Sequence, residues 1–173
     1  MFGKILVPID GSGPSDRALR LAGDIAEKFD AALVLIHVLL RGNSAVALRE
    51  FAESEGFFDE VKKELGDTEI MPDLSIAAGS AAIEVVPDDA LKKIGHLLLE
   101  RAESSVAEKK ISAIKTYIRD GGAAEAILQC AQEENVDLIV TGSRGVGDLK
   151  SILLGSVSHK LAEDSECPCL VVK

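Results

Sequence analysis

Three glycines and a serine are spaced as an anion cradle would be: Gly142 and Gly145 with two residues between them, then Gly155-Ser156 after nine more. They follow a short apolar run, Val136-Asp137-Leu138-Ile139-Val140, which reads as a buried strand ending at Thr141. Gly142 and Gly145 permit a sharp turn whose N–H groups no Cβ shields. Ser156 is a suitable N-cap for a helix carrying Val157 and Leu161 on one face. The unpaired amides and the dipole at such a helix start favour phosphate. The spacing is not that of the Walker A loop, because no Gly-Lys pair stands five residues beyond either glycine. Nor is it G-x-G-x-x-G, since Gly145-Val146-Gly147 leads to Lys150. A second reading stays open here, in which the glycines serve only as turn, loop and cap.

Composition narrows the partners. A chain of 173 residues suits one domain with a sizeable core. Its formal net charge of -10 opposes a general nucleic-acid or anionic-membrane partner. Phosphate must then be held by local amides, helped by a cation. Cys130, Cys167 and Cys169 make no disulfide framework and suit a reducing cytoplasm. Cys167-Pro168-Cys169 is too tight for zinc spacing, and His37, His96 and His159 are scattered, so all six read as structural. Lys4 and Asp10 interrupt the first apolar run, so no signal peptide is expected, and no stretch approaches the ~20 apolar residues of a membrane span.

The elements that must position the cradle follow in chain order. Lys4–Ile9 is a first strand, apolar enough for burial on both faces, with Pro8 near its end because proline lacks a ladder N–H. Asp10–Asp16 is a loop with Ser12 or Ser15 as cap. It leads to a helix over Asp16–Phe29 with Ala18, Leu21, Ala22, Ile25, Ala26 and Phe29 on its inner face. Asp10 is either a ligand-facing acid or simply the start of an Asx turn. Ala31–Leu40 is a second buried strand, in which His37 reads as a packed strand histidine.

Residues 41–87 break the rhythm and read as an insertion: one helix over Asn43–Leu65, with Phe51, Phe58, Val61 and Leu65 on a face, then an undecided stretch over Thr68–Val86. Asp88 or Asp89 caps a helix to about Lys110, with Leu91, Ile94, Leu98, Ala102 and Val106 inward. Ser112–Arg119 alternates as an edge strand does. A helix with Ala124, Ile127, Leu128 and Ala131 follows, then the strand at Val136–Thr141, a helix near Ser156–Asp164 and a terminal strand over Cys167–Val172. Five strands alternating with four helices predict an α/β parallel sheet covered on both faces. Ligands of such sheets bind at the strands' carboxyl ends, where the winding reverses. If the first and fourth strands are neighbours there, Asp10 and Gly142 share one crevice.

Ile5-Leu6-Val7-Pro8-Ile9-Asp10-Gly11-Ser12, the glycine pattern and Cys167-Pro168-Cys169-Leu170-Val171-Val172 together resemble the universal stress protein family, from end to end apart from residues 41–87. The resemblance implies one Rossmann-like domain over residues 1–173, related to the adenine nucleotide alpha hydrolase fold, with strand order 3-2-1-4-5. It also implies homodimers formed through the terminal strand, residues 168–172. It further implies the family's ATP-binding type. Asp10 and the backbone at Val38 then face the nucleoside, with Pro8 and Ile9 near the base. Gly142 and Gly145 approach ribose and phosphates, Gly155, Ser156 and Val157 hold the phosphates, and Mg²⁺ or Mn²⁺ bridges them. Arg144 and Lys150 either reach the phosphates or are solvated surface charge. The function so implied is a cytoplasmic, ATP-binding regulatory protein of the stress response. Two alternatives remain beside it, a slow ATP-hydrolysing enzyme and an interaction module without nucleotide. No residue is assigned as catalytic; Asp148 lies near the inferred phosphates without a role.

Overall fold

Ile5, Leu6 and Val7 are all fully buried, as a strand walled on both faces requires. In the computed structural model, which describes residues 2–41, 45–65, 86–145 and 154–173, they form β1 (Lys4–Pro8) at the centre of a five-stranded parallel sheet. The other strands are β2 (Ala32–Val38), β3 (Ile114–Arg119), β4 (Leu138–Gly142) and β5 (Cys169–Val172), in the order β3-β2-β1-β4-β5. This is the expected order, and β1 pairs directly with β4 through Ile5↔Leu138 and Leu6↔Ile139. β3 is an edge strand, as its alternation indicates, and none of its residues is fully buried. The strands are a little shorter than their apolar runs, because pairing gives out before hydrophobicity does.

Helix α1 (Gly13–Phe29) packs on β1 and β4. It starts three residues earlier than expected, with Ser12 as N-cap accepting from the Ser15 N–H at 3.3 Å and Pro14 in the first turn. Its buried stripe is Ser15, Ala18, Leu19, Ala22, Gly23 and Ala26. Leu21 and Phe29, expected inward, are exposed, because a helix lying on a sheet buries only a strip about 100° wide. Phe29 instead packs edge-on to Phe2, ring centroids 5.8 Å apart. The opposite face of the sheet carries α5 (Ala123–Glu134) and α6 (Ser156–Asp164). Leu6, Val34, Ile36 and Ile139 meet Ile127, Cys130, Ala131 and Leu161 there. Burial pushes the thiols of Cys130 and Cys169 up to about 11, so they stay protonated at neutral pH.

The chain divides into two compact units, residues 1–39 with 98–173, and residues 40–97. In the second unit the single expected helix is two, α2 (Ala45–Ser54) and α3 (Phe58–Leu65). Gly56, at φ +75°, ends the first in a Schellman motif: its N–H bonds to Glu53 O and that of Phe57 to Ala52 O. The turn brings the Phe57 ring to 5.6 Å from that of Phe51, so Phe57, not Phe58, is the buried aromatic. Asn43 and residues 68–85 of the undecided stretch lie outside the described residues. Helix α4 (Asp88–Ser105) begins in this unit and ends in the other. All five residues expected inward on it and just beyond it are buried. It stops short of Lys110 because successive three-residue turns take over from Val106. No described helix is long and apolar enough to cross a membrane.

At the rim where the strands begin, Glu134 of α5 gathers three elements. Its carboxylate accepts from the Tyr117 hydroxyl, from Lys4 Nζ at 3.0 Å and from Lys115 Nζ at 3.1 Å, with only 12% of its side chain exposed. The Tyr117 hydrogen bond first, then the two lysines, hold its pKa down at about 2. A depressed carboxylate stabilises the fold above its unfolded pKa, and that contribution fades as pH falls from about 4.5 toward 2. Chemical denaturation followed between pH 6 and 2 is therefore expected to show a steeper loss for the wild type than for Glu134→Gln. Parallel curves would mean that this carboxylate is not linked to folding.

Candidate functional site

Where β1 runs out, side chains reach its last carbonyls. Ser15 Oγ donates to Pro8 O at 3.0 Å and His37 Nδ1 meets Ile9 O at 2.8 Å. Asp10 then turns the chain. Its Oδ1 accepts from the Ser12 N–H at 2.9 Å and from the Ser12 hydroxyl at 2.7 Å, an Asx turn. Its other oxygen, Oδ2, lies against Gly145, occupying the place where a Cβ on that residue would project. Asp10 is thus the start of an Asx turn through Oδ1, while Oδ2 is directed at the glycine loop.

The loop after β4 arrives from the other side. Ser143 donates its N–H to Val172 O at 2.7 Å, extending the β4–β5 ladder by one bond. A Cβ on Gly142 would stand 2.7 Å from the Pro14 carbonyl carbon and 2.8 Å from the Ser15 nitrogen, so this glycine admits the first turn of α1. The Arg144 carbonyl oxygen lies 3.5 Å from Ser12 Oγ, so the loops after β1 and β4 meet at the carboxyl ends of two adjacent strands.

The chain resumes at α6, whose N-cap is Gly155 and not Ser156. The Gly155 N–H is fixed to Ser143 O at 2.7 Å and its φ and ψ, -70° and 159°, are those of a cap. Ser156 becomes the first helical residue, exposed and making no capping bond, so its hydroxyl lends the helix no stability as a cap. The first intrahelical bond runs from the His159 N–H to Gly155 O at 2.9 Å, which leaves the N–H groups of Ser156, Val157 and Ser158 without helical partners. Ser158 turns its hydroxyl back to Ser143 O at 3.1 Å and to Gly155 O at 3.2 Å, tying the helix start to β4.

The expected site residues fall into two groups. Pro8, Ile9, Asp10, Gly142, Arg144 and Gly145 come together where β1 and β4 end, with Arg144 exposed. Gly155, Ser156 and Val157 are joined to them through the Gly155–Ser143 bond. Val38 stands at the end of β2, its side chain packed on the core of the α5–α6 face, so only its backbone is turned toward β1. Lys150 and Asp148 lie outside the described residues. Sequence reasoning missed Ser15 and His37 as the groups that end β1. A strand closing on Pro-Ile-Asp, with carbonyls no ladder can absorb, is the signal that could have found them. Burial lowers the pKa of His37 below the usual imidazole value, leaving it neutral at physiological pH. Among the described residues no three or more His, Cys, Asp or Glu side chains converge as metal ligands.

The family model described as "Universal stress protein family" matches residues 1–173. The chain is 36% identical over 178 residues to the universal stress protein YxiE of Bacillus subtilis, spanning the full length of both. It is similar to the solved structure of MJ0577, a protein of Methanocaldococcus jannaschii, at 27% identity and TM-score 0.66, over 100% of this chain and 96% of that one. A universal stress protein solved in complex with cAMP shares the fold at 20% identity and TM-score 0.58, over 99% and 96% of the two chains. With its family model matched from end to end and a full-length relative at better than one residue in three, the chain belongs to the universal stress protein family.

Proposed function

We propose that this chain binds ATP with a divalent ion and acts as a homodimeric regulatory protein of the stress response in the cytoplasm. The observation that carries this reading is the meeting of the Asp10 carboxylate with Gly145 at the carboxyl ends of β1 and β4, joined through Ser143 to the unpaired N–H groups of α6. A cradle of amides at a helix start takes phosphate despite the net charge of -10. Oδ2 of Asp10 is suited to a ribose hydroxyl, and the backbone of Val38, with Pro8 and Ile9, to the base. That a protein of this fold is solved with cAMP supports an adenine nucleotide as the ligand class. Mg²⁺, or Mn²⁺ in its place, would be held mainly through the phosphates and water, with Asp10 a carboxylate the chain could offer it. Residues 41–87 are proposed as an insertion within one family domain.

Calorimetric titration of nucleotide-free protein with Mg-ATP, and in parallel with cAMP and GTP, tests the reading. ATP is expected to bind and, at 100 times its Kd, to add about 2.7 kcal/mol of stability. No heat and no thermal shift with millimolar ATP would remove it, and a response to cAMP alone would replace ATP by the cyclic nucleotide.

A further inference from the structure

We infer that His37 is a positioning residue that ends the β1–β2 ladder one hydrogen bond early and so leaves the Val38 N–H unpaired at the site. Its consequence for the base rests on the nucleotide reading above. The register shows what is missing. Leu33 and Leu39 donate their N–H groups to Ala113 O and Arg119 O, so odd-numbered residues of β2 pair toward β3 and even-numbered ones toward β1. Ile9 N–H to Ile36 O, at 2.8 Å, is the last bond across to β1. A regular parallel ladder next sends the Val38 N–H to Ile9 O. That bond is absent, and the pairing of β1 with β2 stops at Pro8↔Ile36.

The Ile9 carbonyl is instead 2.8 Å from His37 Nδ1. A carbonyl oxygen only accepts, so Nδ1 carries the proton and donates. The ring is 1% exposed, and its other nitrogen, Nε2, is buried with no partner, an arrangement that suits a neutral ring with its single proton on Nδ1. A buried polar atom without a partner is a cost, and it is borne at the residue that captures Ile9 O. Val38 then presents both N–H and C=O toward the gap beside β1, a donor next to an acceptor. The hydrogen-bonding edge of a purine alternates in the same way. An apolar residue at position 37 would return Ile9 O to Val38 and seal that gap.

Nitrogen-15 NMR of the wild-type imidazole, amide exchange at Val38 and ATP titration test this in the wild type, His37→Leu and His37→Asn. Asn is chosen because its side-chain amide reaches the place of Nδ1 and keeps the donor. The wild-type ring is expected as the Nδ1–H tautomer, with a fast-exchanging Val38 amide. In His37→Leu that amide should slow and ATP affinity should fall about tenfold, one neutral hydrogen bond's worth, while His37→Asn stays near wild type in both. A wild-type ring protonated on Nε2 overturns the inference, whether or not a variant folds. So does a folded His37→Leu protein with a fast Val38 amide and unchanged affinity. Should the wild type bind no ATP, the nucleotide reading fails, and the role of His37 is decided by the Val38 amide alone: slowing in His37→Leu sustains it, and no change overturns it.

Discussion

Gly142→Ala is expected to cost about 3 kcal/mol or more, the upper range for forcing atoms into a packed region. The added Cβ would meet the Pro14 carbonyl carbon at 2.7 Å and the Ser15 nitrogen at 2.8 Å, and neither is the movable end of a side chain. Relief requires α1 to slide off β4 or β4 to leave its register with β5. At roughly 2–4 °C per kcal/mol for a domain of this size, the melting temperature falls by about 6–12 °C. Gly145→Ala makes the matching contrast. Its Cβ would take the place of Asp10 Oδ2, and a carboxylate can swing away, so the fold should lose less than about 1 kcal/mol. The acid is then turned out of the site, and ATP affinity should drop tenfold or more, as for a lost hydrogen bond to a charged group. Thermal melts and ATP titration of both variants separate the two roles. Equal melting temperatures for the two would show that Gly142 is not held by α1.

The contrast marks how far the sequence is legible. Gly142 and Gly145 belong to one spacing and read as equivalent turn-formers, yet what each must avoid lies more than a hundred residues away in sequence. The strands were readable because burial on both faces leaves unbroken β-branched runs, and β3 because its alternation betrays an edge. Helix ends were less so. Ser156 looks a better cap than Gly155, but the Gly155 N–H is committed to Ser143 O, and this fixes the cap one residue earlier. Phe57 and Phe58 are indistinguishable in sequence until the left-handed turn at Gly56 selects one. His37 reads as packed and is packed; that its ring also closes the ladder depends on a carbonyl of another strand.

Val171→Pro is expected to convert the proposed dimer to monomer with the fold intact. Ile139 N–H bonds to Pro168 O and Ser143 N–H to Val172 O, so even-numbered residues of β5 serve β4. The N–H groups of Cys169 and Val171 therefore point to the open edge. Leu170 beside them is 37% exposed, an apolar residue on an unpaired strand. A two-fold related copy pairing antiparallel here would use the Val171 donor from both chains, and proline removes it twice without touching the β4 ladder. Light scattering reads the mass and circular dichroism the fold. A folded variant that keeps the mass of a dimer would move the interface elsewhere.

The central place of β1 has a consequence for biosynthesis. Ile5 and Leu6 are synthesised more than a hundred residues before Leu138 and Ile139, with which they pair. At about 5–20 residues per second, the nascent chain carries that apolar edge unpaired for on the order of ten seconds. β2 and α1 can cover one edge and one face of β1 early, but its edge toward β4 stays open until most of the chain has been made. The chain would thus be most prone to aggregate while still being translated, and a chaperone that shields β1 and β2 on the nascent chain should raise its soluble yield.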